Sequence, residues 1–208
     1  IVPKNITVHL GRPAASARNV TVSFRDYIAN VASSEGYPTW PIEALKANIH
    51  CQISLALNRI YTEWYRSRGY TFDITNNTAF DQYYVHGRNI FENISQVVDE
   101  IFNDYIRRQG FVEPLAAKFC NGTTTTCDGL SQWGSQELAQ QGYNSVDILR
   151  HYYGDDIELV VNAPVSGVRA SYPGFPLRRG MVGENVIRIQ YMLNRISQDY
   201  PAIPKIPT

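Results

Sequence analysis

Among the ionisable residues of the 208-residue chain, Glu35 has the most suggestive setting. It lies in the run Ser33 to Trp40 (SSEGYPTW), at the mouth of a long helical stretch. Aromatic neighbours such as Tyr37 and Trp40 can desolvate a carboxyl group and raise its pKa. A carboxyl kept protonated near neutral pH can give its proton to a glycosidic oxygen. The same position also suits a helix-capping or solvated glutamate, and local sequence does not separate these readings. An ordinary glycosidase needs a second carboxylate across the scissile bond. Asp26, Asp73, Asp81 and Asp128 are the candidates, and none has a distinguishing pattern. Asp26 reads as exposed on a helix turn, and Asp73 and Asp81 as solvated in a polar stretch.

A second segment, Asp128 to Gln136 (DGLSQWGSQ), sets a tryptophan between small residues. It can line a groove with Trp133 while Ser131 and Gln132 offer hydrogen bonds, or it can bury the ring at a turn-to-helix junction. His50 reads as a satisfied core or surface histidine, and His86 and His151 as isolated. No Ser-His-Asp or Cys-His arrangement and no phosphate-binding glycine loop can be assigned. Cys51 reads as a buried apolar residue. Cys120 and Cys127 flank a polar loop and are either a disulfide or two free thiols. Alone they do not complete a zinc site, which takes four ligands.

Positioning these residues takes several elements. Residues 5–10 and 19–24 alternate as strands. Residues 25–34 suit a short helix. Pro41 opens a long helix to about Arg68, with a stripe of Ile42, Leu45, Ile49, Ile53, Leu57 and Ile60. A second long helix is expected over 89–108, with Ile90, Ile94, Val97, Val98, Ile101 and Tyr105 on one face and Gly110 beyond its end. Short helices follow near 133–141 and 144–152, then a strand over 155–161. A linker rich in proline and glycine, with Tyr172 to Pro176, leads to a last helix over 184–198, striped by Val186, Ile189, Leu193 and Ile196. Prolines 201, 204 and 207 forbid more helix. Helices and strands are segregated, so the fold class is α+β, with helices around small sheets. The division expected is a catalytic domain over 1–165 and a linker with an incomplete module over 166–208.

Formal net charge is zero, without the basic excess usual in nucleic-acid binders. No apolar run reaches the roughly 18 residues of a membrane span. The start Ile1-Val2-Pro3-Lys4 reads as a mature or trimmed N-terminus. The 14 tyrosines and 3 tryptophans suit stacking on sugar rings. Asn5, Asn19, Asn76, Asn93 and Asn121 begin N-x-Ser/Thr triplets, which leaves a eukaryotic secreted domain as a further alternative.

Two segments resemble the stage II sporulation protein D family of peptidoglycan lytic transglycosylases. The first is Tyr27 to Glu35 (YIANVASSE) followed by Trp40 to Lys46 (WPIEALK). The second is Leu130 to Gly134 (LSQWG) with Ala139, Gly142, Tyr143, Ile148, Leu149 and His151 to Tyr153 (HYY). The order of the two is that of the family, and the arrangement is most similar to clostridial spore cortex-lytic enzymes. Leu177 to Val186 and Gln190 to Asn194 resemble the first helix of a peptidoglycan-binding module.

The resemblance implies a catalytic Glu35 and glycan contacts at Tyr37, Trp40, Ser131, Gln132 and Trp133. It implies cleavage of the MurNAc–GlcNAc β-1,4 bond with a 1,6-anhydromuramoyl product, on spore cortex during germination. Peptidoglycan strands rich in muramic lactam are the implied partner, with a protease that removes a propeptide. The implied location is secreted, in the spore cortex or cell wall. Relatives hold zinc in a Thr-His-Cys-Gln segment; here Asn76 to Tyr83 (NNTAFDQY) has neither histidine nor cysteine. The expectation is therefore no metal and no cofactor, with Cys120 and Cys127 as a stabilising replacement. Two alternatives remain: a hydrolytic muramidase using Glu35 with Asp81 or Asp128, and a non-catalytic wall-binding or amidase-enhancing protein.

Overall fold

A computed structural model describes residues 1–166, 176–200 and 202–206. The chain divides into two compact units, Ile1–Gly167 and Val168–Thr208. The fold is α+β, with helices and small sheets.

In the first unit, strand β1 (Val2–Pro3) leads to β2 (Asn5–His9) and β3 (Asn19–Ser23). β2 and β3 are antiparallel, with Ile6 opposite Val22 and Val8 opposite Val20. This is the pairing that their alternation requires. Ser23 caps helix α1 (Phe24–Glu35) by accepting from the Asp26 N–H at 3.0 Å. Helix α2 (Ile42–Tyr61) follows Pro41 and forms the centre of the unit. Apart from Lys46, every residue from Ala44 to Asn58 is buried. A helix apolar or small all round is one packed on all sides. Leu45, Ile49, Ile53 and Leu57 face one core cluster with α1 and helix α3 (Glu92–Ile101). Ala47 and Cys51 face a second cluster with Ile106, Leu130, Ile148 and Leu149. The apolar stripe marks only the first contact. Its first residue, Ile42, is exposed.

The long helix stops at Tyr61 rather than Arg68. A single turn of 3-10 helix, Arg66–Arg68, completes the expected span, and Gly69 turns the chain at φ 86°. Strand β4 (Ile74–Thr75) pairs parallel to β2. The helix expected over 89–108 is the largest correction. α3 ends at Ile101, and Tyr105–Arg108 is strand β5. Asn103 and Asp104 make the break, because both bond outside the helix. Asn103 exchanges bonds with Ala163, and Asp104 accepts from the Asn162 N–H at 2.7 Å. Strand β6 (Phe119–Cys120) pairs with β7 (Leu130–Ser131). Helices α4 (Gln132–Gln140) and α5 (Ser145–Tyr153) follow. Strand β8 (Ile157–Val160) pairs antiparallel to β5, and β9 (Val165–Ser166) pairs parallel to β1.

In the second unit, helix α6 (Glu184–Asp199) is the described element. Asn194 bonds Ile206 in both directions, at 2.7 and 2.8 Å, and ties the chain after the helix back to it. Most of the expected linker, including Tyr172 to Phe175, lies outside the described residues.

Candidate active site around Glu35

Glu35 is the last residue of α1, and Gly36 leaves the helix in extended conformation. The side chain is half-buried. Oε1 accepts from the Tyr83 N–H at 2.7 Å. The Gln132 amide donates to the Glu35 backbone oxygen at 3.4 Å and also favours the ionised carboxylate. Burial acts the other way and dominates, so the Glu35 pKa lies above the ordinary glutamate value. The carboxyl can therefore hold a proton and still be reached by solvent.

Three rings lie beside it. Trp133 is 5.4 Å from Tyr37 and 5.1 Å from Trp40, and Tyr37 is 5.2 Å from Trp40, by ring centroids. Trp40 is buried and anchors the group, while Tyr37 is exposed. The loop that carries Tyr37 is tied down by Asn93, which donates to the Pro38 oxygen at 2.6 Å. Two segments about 100 residues apart in sequence thus meet at one place: Glu35, Tyr37 and Trp40 from one, Gln132 and Trp133 from the other. Ser131 has another task. Its hydroxyl caps α4 by accepting from the Gly134 N–H at 3.0 Å. It lines a separate cleft of about 330 Å³ with the Cys120–Cys127 pair, His151 and Tyr152.

The segment 82–91 has no counterpart in the sequence reading as a site element. It is strapped along α1 by side chains. Asn30 donates to the Val85 oxygen at 2.8 Å and accepts from the Val85 N–H at 3.0 Å. Gln82 donates to the Tyr27 hydroxyl at 3.0 Å. Arg88 donates to the Ser34 hydroxyl at 2.9 Å, and Ser33 accepts from the Phe91 N–H at 3.3 Å. The sequence signal for this strap is Asn30, a buried amide in a helix face of small and apolar residues.

Several side chains differ from expectation. The Asp81 side chain is fully buried, not solvated. It accepts from Arg59 at 2.8 Å, Tyr65 at 2.6 Å, and the N–H and hydroxyl of Thr75 at 2.9 and 2.6 Å. A carboxylate so enclosed cannot act on substrate as the second group of a muramidase. Asp73 is also held, by Arg66 at 2.6 Å and the Thr7 N–H at 2.8 Å. Asp26 lies exposed on its helix turn, paired with Arg25. Asp128 is exposed on the loop beside the separate cleft. His50 is buried, but neither ring nitrogen has a hydrogen-bond partner, so it is not a satisfied core histidine. Desolvation, reinforced by Lys46, lowers its pKa to about 4. His86 is bonded rather than isolated, with Nδ1 2.9 Å from the Tyr84 hydroxyl.

The residues of Asn76 to Tyr83, the segment for which the resemblance raises zinc, do not fit that ion. Asp81 there is neutralised by Arg59 and three other hydrogen bonds. Among the described residues no group of three His, Cys, Asp or Glu side chains is placed to hold a metal ion. Cys120 and Cys127 form a disulfide, with Cα atoms 6.1 Å apart. Among the described residues no helix is long and apolar enough to cross a membrane.

Residues 15–105 match the model of the SpoIID family, described as stage II sporulation protein. The match covers under half of the chain. It contains Glu35, Tyr37, Trp40 and the strap, and it ends before the segment around Trp133. No curated protein matches the chain.

Proposed function

We propose that the chain is a peptidoglycan lytic transglycosylase that works with Glu35 as its single acid/base. The observation that carries this reading is the carboxyl itself: raised in pKa, half-exposed, fixed by the Tyr83 N–H, and set beside an aromatic cluster. The neutral Glu35 carboxyl gives its proton to the oxygen of the MurNAc–GlcNAc β-1,4 bond, and the bond from C1 of MurNAc to that oxygen breaks. The resulting carboxylate then takes the proton of the C6 hydroxyl of the same MurNAc. Its oxygen bonds to C1 and closes the 1,6-anhydro ring. Glu35 ends protonated, and no water is consumed. The Tyr83 N–H and the Gln132 amide stabilise the carboxylate between the two steps. Tyr37 and Trp133 offer ring surface to the sugars.

The enclosure of Asp81 supports a one-carboxyl mechanism over the hydrolytic reading that pairs Glu35 with Asp81. The SpoIID match supports a sporulation-related role in lysis of the cell wall, and with it a site of action outside the membrane, on spore cortex or wall. We expect Glu35→Gln to abolish glycan cleavage while leaving the far-ultraviolet spectrum and the glycan affinity unchanged. Cleavage at the original rate would remove Glu35 from the mechanism. Cleavage by neither form, with glycan still bound, would favour a non-catalytic wall-binding protein.

A further inference from the structure

Gln132 and Ser135 are the two buried residues of α4, and both are polar. A helix ordinarily buries an apolar stripe, whereas Leu138 and Ala139 of α4 are only partly buried against the core clusters. The side chain that meets Ser135 is Asn48, buried in α2. Its Nδ2 donates to the Ser135 hydroxyl at 2.8 Å and to the Ala44 oxygen of its own helix at 2.8 Å, so both amide protons are used. The Ser135 hydroxyl in turn donates to the Gln132 backbone oxygen at 2.6 Å. The Gln132 amide then reaches the backbone oxygen of Glu35 at 3.4 Å. A chain of hydrogen bonds thus runs from the core of α2, through the first turn of α4, to the last residue of α1.

Stability alone does not account for Asn48. Its Oδ1 is buried without a hydrogen-bond partner among the described residues, and a buried acceptor left unpaired destabilises the fold. Apolar residues in place of Asn48 and Ser135 would join the two helices without that penalty. The chain ends at a group whose placement matters. Burial, the Tyr83 N–H and the Gln132 amide set the Glu35 pKa, and none of the three is a charged group. At 3.4 Å the Gln132 contact is near the limit of a hydrogen bond, so a small movement of α4 breaks it. Taking Glu35 as the acid/base of the reading above, we propose that Asn48 is a positioning residue for it: through Ser135, Asn48 fixes the turn of α4 from which Gln132 reaches the end of α1.

The test follows the Glu35 carboxyl itself, by its carbon-13 shift against pH. The proteins are the parent, Asn48→Leu, Ser135→Ala, Gln132→Leu, and the first two combined with Gln132→Leu. Asn48→Leu and Ser135→Ala should each raise the Glu35 titration midpoint, by no more than Gln132→Leu does. Neither should add to the shift once Gln132 is replaced. On purified peptidoglycan, kcat should fall by up to about fivefold with KM unchanged, the scale of one neutral hydrogen bond. Ser135→Ala removes a single oxygen atom and keeps the test open should Asn48→Leu not fold. A residue that serves only packing would lower the melting temperature and leave the midpoint in place. That result, or shifts of equal size with and without Gln132, would overturn the proposal. Midpoints that move as expected in a parent protein that cleaves no glycan would instead overturn the functional reading and leave the placement of Glu35 by Asn48 standing.

Discussion

At Glu35, burial raises the pKa while two hydrogen-bond donors lower it. Removing a donor therefore moves the balance in a known direction. Gln132→Leu should shift the alkaline limb of the activity profile to higher pH, because the carboxylate loses a stabilising amide. Its kcat should fall about fivefold, the scale of about 1 kcal/mol, because the amide's bond is to the neutral Glu35 backbone oxygen. A pH–rate profile with an unmoved alkaline limb would show that Gln132 does not act on the carboxyl. The same imbalance bears on stability. A carboxyl whose folded pKa is above its unfolded value stabilises the fold most at low pH, and that contribution is lost as pH rises through the folded pKa. Glu35→Gln, which is always neutral and can still accept from Tyr83, should therefore melt higher than the parent at neutral pH and no higher in acid. His50 is the opposite case. Its folded pKa is about 4 against an ordinary 6.5. The unfolded chain binds the proton first, so stability falls as pH drops from about 6.5 towards 4. At about 1.4 kcal/mol per unit the full effect is about 3 kcal/mol. His50→Leu should flatten that part of a melting-temperature profile.

Among the elements, the strap over 82–91 does most to shape the site, and Asn30 is its central fastener. Asn30→Ala breaks both bonds to Val85 and should cost about 2 kcal/mol, at about 1 kcal/mol for each bond. It should also lower kcat through loosened placement of the Tyr83 N–H, which thermal melts and steady-state rates would read separately. This element was not legible in the sequence, because its bonds join irregular backbone to amides and hydroxyls and leave no periodic trace. α1, β2 and β3 were legible from alternation and helical spacing, and so were α4 and α5 within a residue or two. The helix does not continue to Arg108, although Tyr105 keeps the apolar spacing of α3, because Asn103 and Asp104 bond to the segment after β8. The burial of α2 on all sides between Ala44 and Asn58 leaves little trace for a related reason. Ala47 and Cys51 are small, so they add little to an apolar stripe although they pack against a second core cluster. Within the site, Glu35 and the rings of Tyr37, Trp40 and Trp133 could be picked out by residue type. Tyr83 could not, because it acts through its backbone N–H.

For the molecule as a whole, both core clusters and every residue placed at the site belong to Ile1–Gly167. A chain ending at Gly167 should therefore fold and retain cleavage, which a melting curve and a turbidity assay on purified sacculi would check. Within this unit the disulfide closes the loop between β6 and β7, next to the segment that delivers Gln132 and Trp133. Replacing Cys120 and Cys127 by serine should cost about 2 kcal/mol through the freed unfolded chain, given the short loop. The central claim is that one carboxyl group closes an anhydro ring without an attacking water. Mass spectrometry of the fragments released from purified spore-cortex glycan tests it most directly. The account requires muramic ends lighter by one water than reducing ends, formed by the parent protein and absent with Glu35→Gln. Reducing muramic ends as the first products would contradict it and identify a hydrolase.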